Sequence, residues 1–127
     1  MNVARASILV GALAGAAAVA TGAFGAHALR ASLDAEALAI WRTAVEYQFW
    51  HALALLAVGL IARIESSVAL NVAALAFALG IVLFCGSLYA LALGAPRPVG
   101  VATPIGGVGL IVGWAALAVH AFRSRAD

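Results

Sequence analysis

Residues 8–28 contain no charged side chain, and three later stretches come close to the same condition. A helix needs about 20 mostly apolar residues to cross the hydrocarbon core of a bilayer. The apolar stretches therefore predict membrane spans at about residues 7–29, 42–62, 68–93 and 99–122. Composition leads to the same place. Only 9% of the 127 residues are charged and 66% are hydrophobic, whereas a soluble domain carries roughly 25% charged residues. A chain this short has a large surface for its volume, so most of that surface must meet lipid rather than water. The expected fold is all-α, a single integral membrane four-helix bundle.

The breaks between spans are polar or turn-forming. Arg30, Asp34, Glu36 and Arg42 make the first connection, and residues 33–41 suit a short interfacial helix with Asp34 near its start. The second span reaches membrane length only when extended back to about Arg42, which draws in Glu46, Tyr47 and Gln48. Arg63 and Glu65 end it. Gly94-Ala95-Pro96-Arg97-Pro98 is a turn, because glycine and proline interrupt a helix. Pro104 either starts the fourth helix or kinks it, and Arg123 and Arg125 close that span. Arg5 before an apolar run and Ala26-His27-Ala28 after it imitate a signal peptide. The run exceeds the usual 7–15-residue signal core, so it is expected to stay as the first span.

Orientation rests on arginine, since the chain has no lysine. Arg5, Arg63, Arg123 and Arg125 fall on one side, and Arg30, Arg42 and Arg97 on the other. That bias puts both termini in the cytoplasm. No basic cluster appears, so nucleic acid is not an expected partner.

Small residues let membrane helices approach closely. Gly11, Gly15 and Gly22 line one face of the first span, and Gly106, Gly109 and Gly113 one face of the fourth. These stripes predict contact between the first and fourth helices, or across an oligomer interface. Polar side chains inside a span are costly and therefore informative. His27, Tyr47, Gln48, His51, Ser87, Tyr89 and Thr103 all fall in the half of the bilayer on the Arg30/Arg97 side. Tyr47 and His51 are four residues apart and share a helix face. This cluster is either a polar binding pocket or interhelical hydrogen bonding that pins the bundle. Glu46 is expected at the headgroup level beside Arg42. Trp41, Trp50 and Tyr89 fit an aromatic belt, and Cys85 fits a buried small hydrophobe.

Gly22-Ala23-Phe24-Gly25-Ala26-His27, Trp41, Tyr47-Gln48, His51-Ala52-Leu53-Ala54-Leu55-Leu56, Gly86-Ser87-Leu88-Tyr89, Thr103-Pro104-Ile105-Gly106-Gly107 and Gly113-Trp114 stand in this order. Across nearly its whole length the chain resembles the YgdD/YwdK-like family of small bacterial inner-membrane proteins, which has animal relatives. Phe49-Trp50 is an unusual filling of its position pair, and Cys85 stands where a serine is common in that family. The resemblance implies a multi-pass inner-membrane protein with four helices, and it supplies no reaction.

No phosphate loop, zinc-protease motif or nucleophile constellation is present in the sequence. The expected function is a non-enzymatic assembly or scaffold component. Its partners would be membrane lipids and a second copy or another membrane protein. The alternative is a small oligomeric transporter or channel using the polar cluster. Haem or metal binding by His27 and His51 is the weaker third reading, and no cofactor is expected.

Overall fold

The computed structural model describes residues 1–124. Arg125, expected to help close the last span, lies outside them. Side-chain caps set where three of the helices begin. Asn2 accepts from the Arg5 amide at 2.9 Å and opens the first helix, Val3–His27. Asp34 accepts from the Ala37 amide at 2.8 Å and opens the second, Ala35–Ile61. Ser67 accepts from the Leu70 amide at 3.1 Å and opens the third. Each cap satisfies a backbone donor that the helix cannot pair internally.

The second helix runs unbroken for 27 residues. No separate interfacial helix forms at residues 33–41, because neither glycine nor proline stands between Ala35 and Val58 to interrupt the chain. The helix is about 40 Å long and exceeds the roughly 30 Å hydrocarbon core, so the turns around Glu36 extend beyond it.

The third span, Val68–Ala92, is not uniform. Its backbone is α-helical over Val68–Gly80, widens into a π-helical turn over Ile81–Cys85, and returns to α over Gly86–Ala92. The chain then reverses through Gly94, whose φ of 96° is a left-handed conformation that a side chain would strain. A 3₁₀ turn, Arg97–Val101, leads into the fourth helix, Ala102–Ser124. Pro104 sits in the first turn of that helix, where the missing N–H deprives no carbonyl of its partner. The residue is an entry and makes no kink.

Four antiparallel spans place both described ends on one side. They pack as two hairpins, first helix on second and third on fourth. Glycine closes both. A Cβ on Gly11 would lie 2.9 Å from the Ala52 carbonyl oxygen of the second helix. A Cβ on Gly25 would lie 2.6 Å from the Trp41 indole. On the fourth helix, a Cβ on Gly113 would lie 2.5 Å from the Phe77 ring, and one on Gly106 would run into the backbone of Leu83 and Phe84. The widened π turn is therefore the surface on which Gly106 nests. The predicted pairing of the two glycine stripes with each other is not what forms. Each stripe faces its own hairpin partner, because the short turns hold those helices adjacent before any longer-range choice arises.

The hairpins meet through the second and third helices around a core of Leu55, Val58, Leu70, Phe77 and Cys85, each at most 1% exposed. The first helix contributes little to it and buries only Ala4, Ser7, Gly11, Ala18 and Gly25.

Close approach separates the glycines into two classes. Gly106→Ala should destabilise the bundle by about 1–3 kcal/mol through overpacking. Gly109→Ala, whose new Cβ would find its nearest neighbour at 3.5 Å, should be neutral or gain up to about 1 kcal/mol from helix propensity. Reversible unfolding by SDS titration, followed by circular dichroism, distinguishes them; equal losses would contradict the packing described.

Candidate functional site

Tyr89 stands where three helices meet. Its hydroxyl donates to Gln48 Oε1 on the second helix at 2.8 Å. With that hydrogen committed, the Thr21 hydroxyl is the donor in its 3.0 Å contact with Tyr89, in competition with the Ala17 carbonyl at 2.9 Å. Gln48 Nε2 in turn donates to the Ala14 carbonyl of the first helix at 2.9 Å. Trp41 completes this end by donating from Nε1 to the Thr21 carbonyl at 2.9 Å, with its ring 4.6 Å from that of Tyr89 in an edge-on arrangement. Of the side chains expected in an aromatic belt, Trp41 is thus internal and Tyr89 half-buried. Trp41 is only 6% exposed because Gly25 leaves room for its indole. Of the three belt residues, Trp50 is the one that faces outward, at 51% exposure.

His51 belongs to a second constellation. Trp114 Nε1, which can only donate, gives its hydrogen to His51 Nε2 at 3.1 Å. His51 Nδ1 lies 2.6 Å from the Tyr47 carbonyl oxygen, which can only accept. The ring is therefore the neutral tautomer with hydrogen on Nδ1, and both nitrogens are engaged. Aromatic rings enclose it: Tyr47 stacks at 5.9 Å, Phe77 at 5.8 Å and Trp114 at 6.0 Å between centroids. Tyr47 contributes its ring, 4.7 Å from Phe84; among the described residues its hydroxyl has no hydrogen-bond partner.

A third pair ties the third helix to the fourth. Ser87 Oγ donates to the Phe84 carbonyl at 3.0 Å, so Thr103 is the donor to Ser87 at 2.6 Å. The seven predicted residues thus divide into Gln48 with Tyr89, His51 with Tyr47, and Ser87 with Thr103. His27 joins none of them. It is exposed at the end of the first helix, whereas the second helix at Ala52 packs on Gly15, about 18 Å back along the axis. The two histidines do not converge, and among the described residues no three His, Cys, Asp or Glu side chains could share a metal ion.

Thr21 and Trp114 are not among the candidate site residues the sequence indicates, although Trp114 stands in the Gly113-Trp114 motif. A tryptophan in mid-span needs an acceptor for its N–H in lipid, and that requirement was the available signal. A further polar contact lies at the opposite membrane face. His120 approaches Ser67 Oγ at 2.9 Å through Nδ1 and Glu65 Oε2 at 3.2 Å through Nε2. It anchors the end of the fourth helix to the cap of the third.

Chemically, these groups couple helices. No hydroxyl or thiol among them is hydrogen-bonded to the imidazole of His51, and Cys85 is 1% exposed within the aliphatic core. Fold and site define a small polytopic membrane protein in which Gln48, His51, Ser87 and Tyr89 are turned inward and hydrogen-bonded to groups on neighbouring helices. The chain belongs to the family described as protein of unknown function (DUF423), whose model matches residues 21–107. It is 47% identical over 116 residues to a UPF0382 membrane protein of Staphylococcus saprophyticus, covering 91% of this chain and 96% of that protein. It is 44% identical over 114 residues to the UPF0382 membrane protein of Haemophilus influenzae, covering 90% and 91% respectively. It is 39% identical over 121 residues to the UPF0382 inner membrane protein YgdD of Escherichia coli K12, covering 95% and 92%. No solved structure matches the chain. The chain is a multi-pass inner-membrane protein of a family without an assigned activity.

Interhelical hydrogen bonds in membranes contribute about 1 kcal/mol or less on average. Tyr89→Phe and Trp114→Phe should each lower stability by about that amount in SDS titration. His27→Ala should change it by less than about 0.5 kcal/mol, as an exposed site does. A loss at His27 equal to that at Tyr89 would mean that the cluster is drawn wrongly.

Proposed function

We propose that this protein is a non-enzymatic assembly component of the membrane, acting by lateral association of its outer helix faces. One observation carries the reading. Of the polar groups that would serve a relay or a binding pocket, Gln48, His51, Ser87, Tyr89 and Thr103 are hydrogen-bonded inside the bundle, while the first helix buries only five of its 25 residues. Binding capacity therefore lies on the outside. Transport through His51 would require that ring to exchange a proton, and both its nitrogens are engaged by Tyr47 and Trp114. Membrane lipids cover whatever part of the surface a protein partner leaves free. The arginine distribution orients this assembly with both termini in the cytoplasm.

Subunit counting by stepwise photobleaching of fluorescent fusions in native-membrane nanodiscs tests the reading. Two or more bleaching steps per particle are expected, and single steps throughout would contradict self-association. Liposomes carrying wild type should show the same ion and proton flux as liposomes carrying His51→Ala. A flux present in wild type and lost in that variant would favour the transport alternative. A C-terminal fluorescent fusion should mature in the cytoplasm, and a periplasm-active phosphatase at the same place should stay silent.

A further inference from the structure

The lipid-facing seam of the first hairpin contains two adjoining hollows of about 180 and 360 Å³. Gly22, Val45 and Glu46 line both, so the hollows form one groove along the helix pair. The groove exists because Gly22 has no side chain; a Cβ there would touch Val45 at 3.3 Å. Beside it stands a ridge, Phe49 and Trp50, exposed to 40% and 51%.

Glu46 and Arg42 also line this groove, and both are exposed. Neither has an ion-pair partner within 4.0 Å among the described residues, where the one pair found is His120 with Glu65. The expected pairing of Glu46 with Arg42 does not form, and an arginine preceding its carboxylate by one turn is the weaker order on a helix. Glu46 lies beside Gly22, five residues and so about 7 Å along the axis from the end of the first helix at His27; that helix, about 37 Å long, exceeds the roughly 30 Å hydrocarbon core by a similar length, so the carboxylate stands close to the hydrocarbon boundary. An unpaired carboxylate there, on an apolar face, calls for a cation or a donor. An acyl chain filling the groove would supply neither.

We infer that a second copy of this chain occupies the groove, in a parallel dimer whose two-fold axis runs along the membrane normal. This deepens the self-association reading above and rests on it. A two-fold along the normal preserves depth, so the Arg42 of one copy differs from Glu46 of the partner subunit by only about 6 Å in depth, one helical turn. That offset is within reach of an arginine side chain, and symmetry makes the ion pair twice. The Phe49-Trp50 ridge of each copy enters the groove that Gly22 leaves in the other. The surface is self-complementary, so the contact closes at two copies and does not propagate. An antiparallel pair would carry Glu46 to the opposite leaflet, away from Arg42.

Cysteine crosslinking in native membranes tests this, in a Cys85→Ser background because Cys85 is the only cysteine. Val19→Cys and Ala23→Cys, on the groove, should give disulfide-linked dimers under mild oxidation. Val112→Cys, outward on the fourth helix, should not. Adding Glu46→Arg or Arg42→Glu alone should reduce the dimer yield about tenfold, as loss of a close charge pair does. The double exchange Arg42→Glu/Glu46→Arg should restore it, which also shows that the altered chains fold. Dimers that crosslink only through Val112→Cys, or a double exchange no better than either single change, would overturn this surface and leave self-association standing. Monomer at every position, with single bleaching steps, would overturn both.

Discussion

Lipid tails attract a leucine as well as another helix does, so burial from water cannot hold this bundle together inside the bilayer. What remains is fit at short range, and the glycines set that range. Gly11 and Gly25 let the second helix settle on the first, and Gly106 and Gly113 let the fourth settle on the third. Everything else in the structure is placed by these two seams. The π turn at Ile81–Cys85 belongs to the same logic, since Gly106 packs directly against its backbone.

Once the hairpins are formed, a different set of side chains joins them. Tyr89 links the third helix to Gln48 of the second and Thr21 of the first. The His51–Trp114 bond links the second to the fourth. The aromatic rings of Tyr47, Phe77 and Phe84 fill the space between these bonds. Close glycine contacts thus act within hairpins, whereas polar groups act on both levels. Gln48 with Ala14, Trp41 with Thr21 and Ser87 with Thr103 fasten helices within a hairpin, and Tyr89 with Gln48 and Thr21 and His51 with Trp114 join one hairpin to the other. This division has a functional consequence. The interior is occupied by its own fastening, and the outer faces, above all that of the first hairpin, are left for association.

The number of helices was legible because nothing but a span accounts for long uncharged stretches bounded by arginine, glycine and proline. Resemblance to a family of inner-membrane proteins was legible in motifs such as Gly86-Ser87-Leu88-Tyr89, and the relatives bear it out. The direction of the glycine stripes was not legible. A stripe states that a neighbour comes close, and any neighbour satisfies it. The π turn left no mark in the sequence, since it lacks a proline and an unbroken helix has the same hydropathy. Thr21 was masked by its alanine surroundings. His27 entered the cluster on depth alone, because depth is readable from position in a span while the facing direction depends on how the hairpin closes. His120 and Glu65 are far apart in sequence, and only the antiparallel return of the fourth helix brings them together.

The hydrogen bonds of Gln48, His51 and Tyr89 hold the hairpins together. Solid-state nitrogen NMR of ring-labelled histidine in lipid bilayers reads this at His51 directly. The expected spectrum shows a protonated, pyrrole-type Nδ1 and a bare, pyridine-type Nε2 in dipolar contact with the Trp114 indole N–H, a contact that Trp114→Phe abolishes. A charged imidazolium at neutral pH, or the opposite tautomer with no coupling to Trp114, would contradict it.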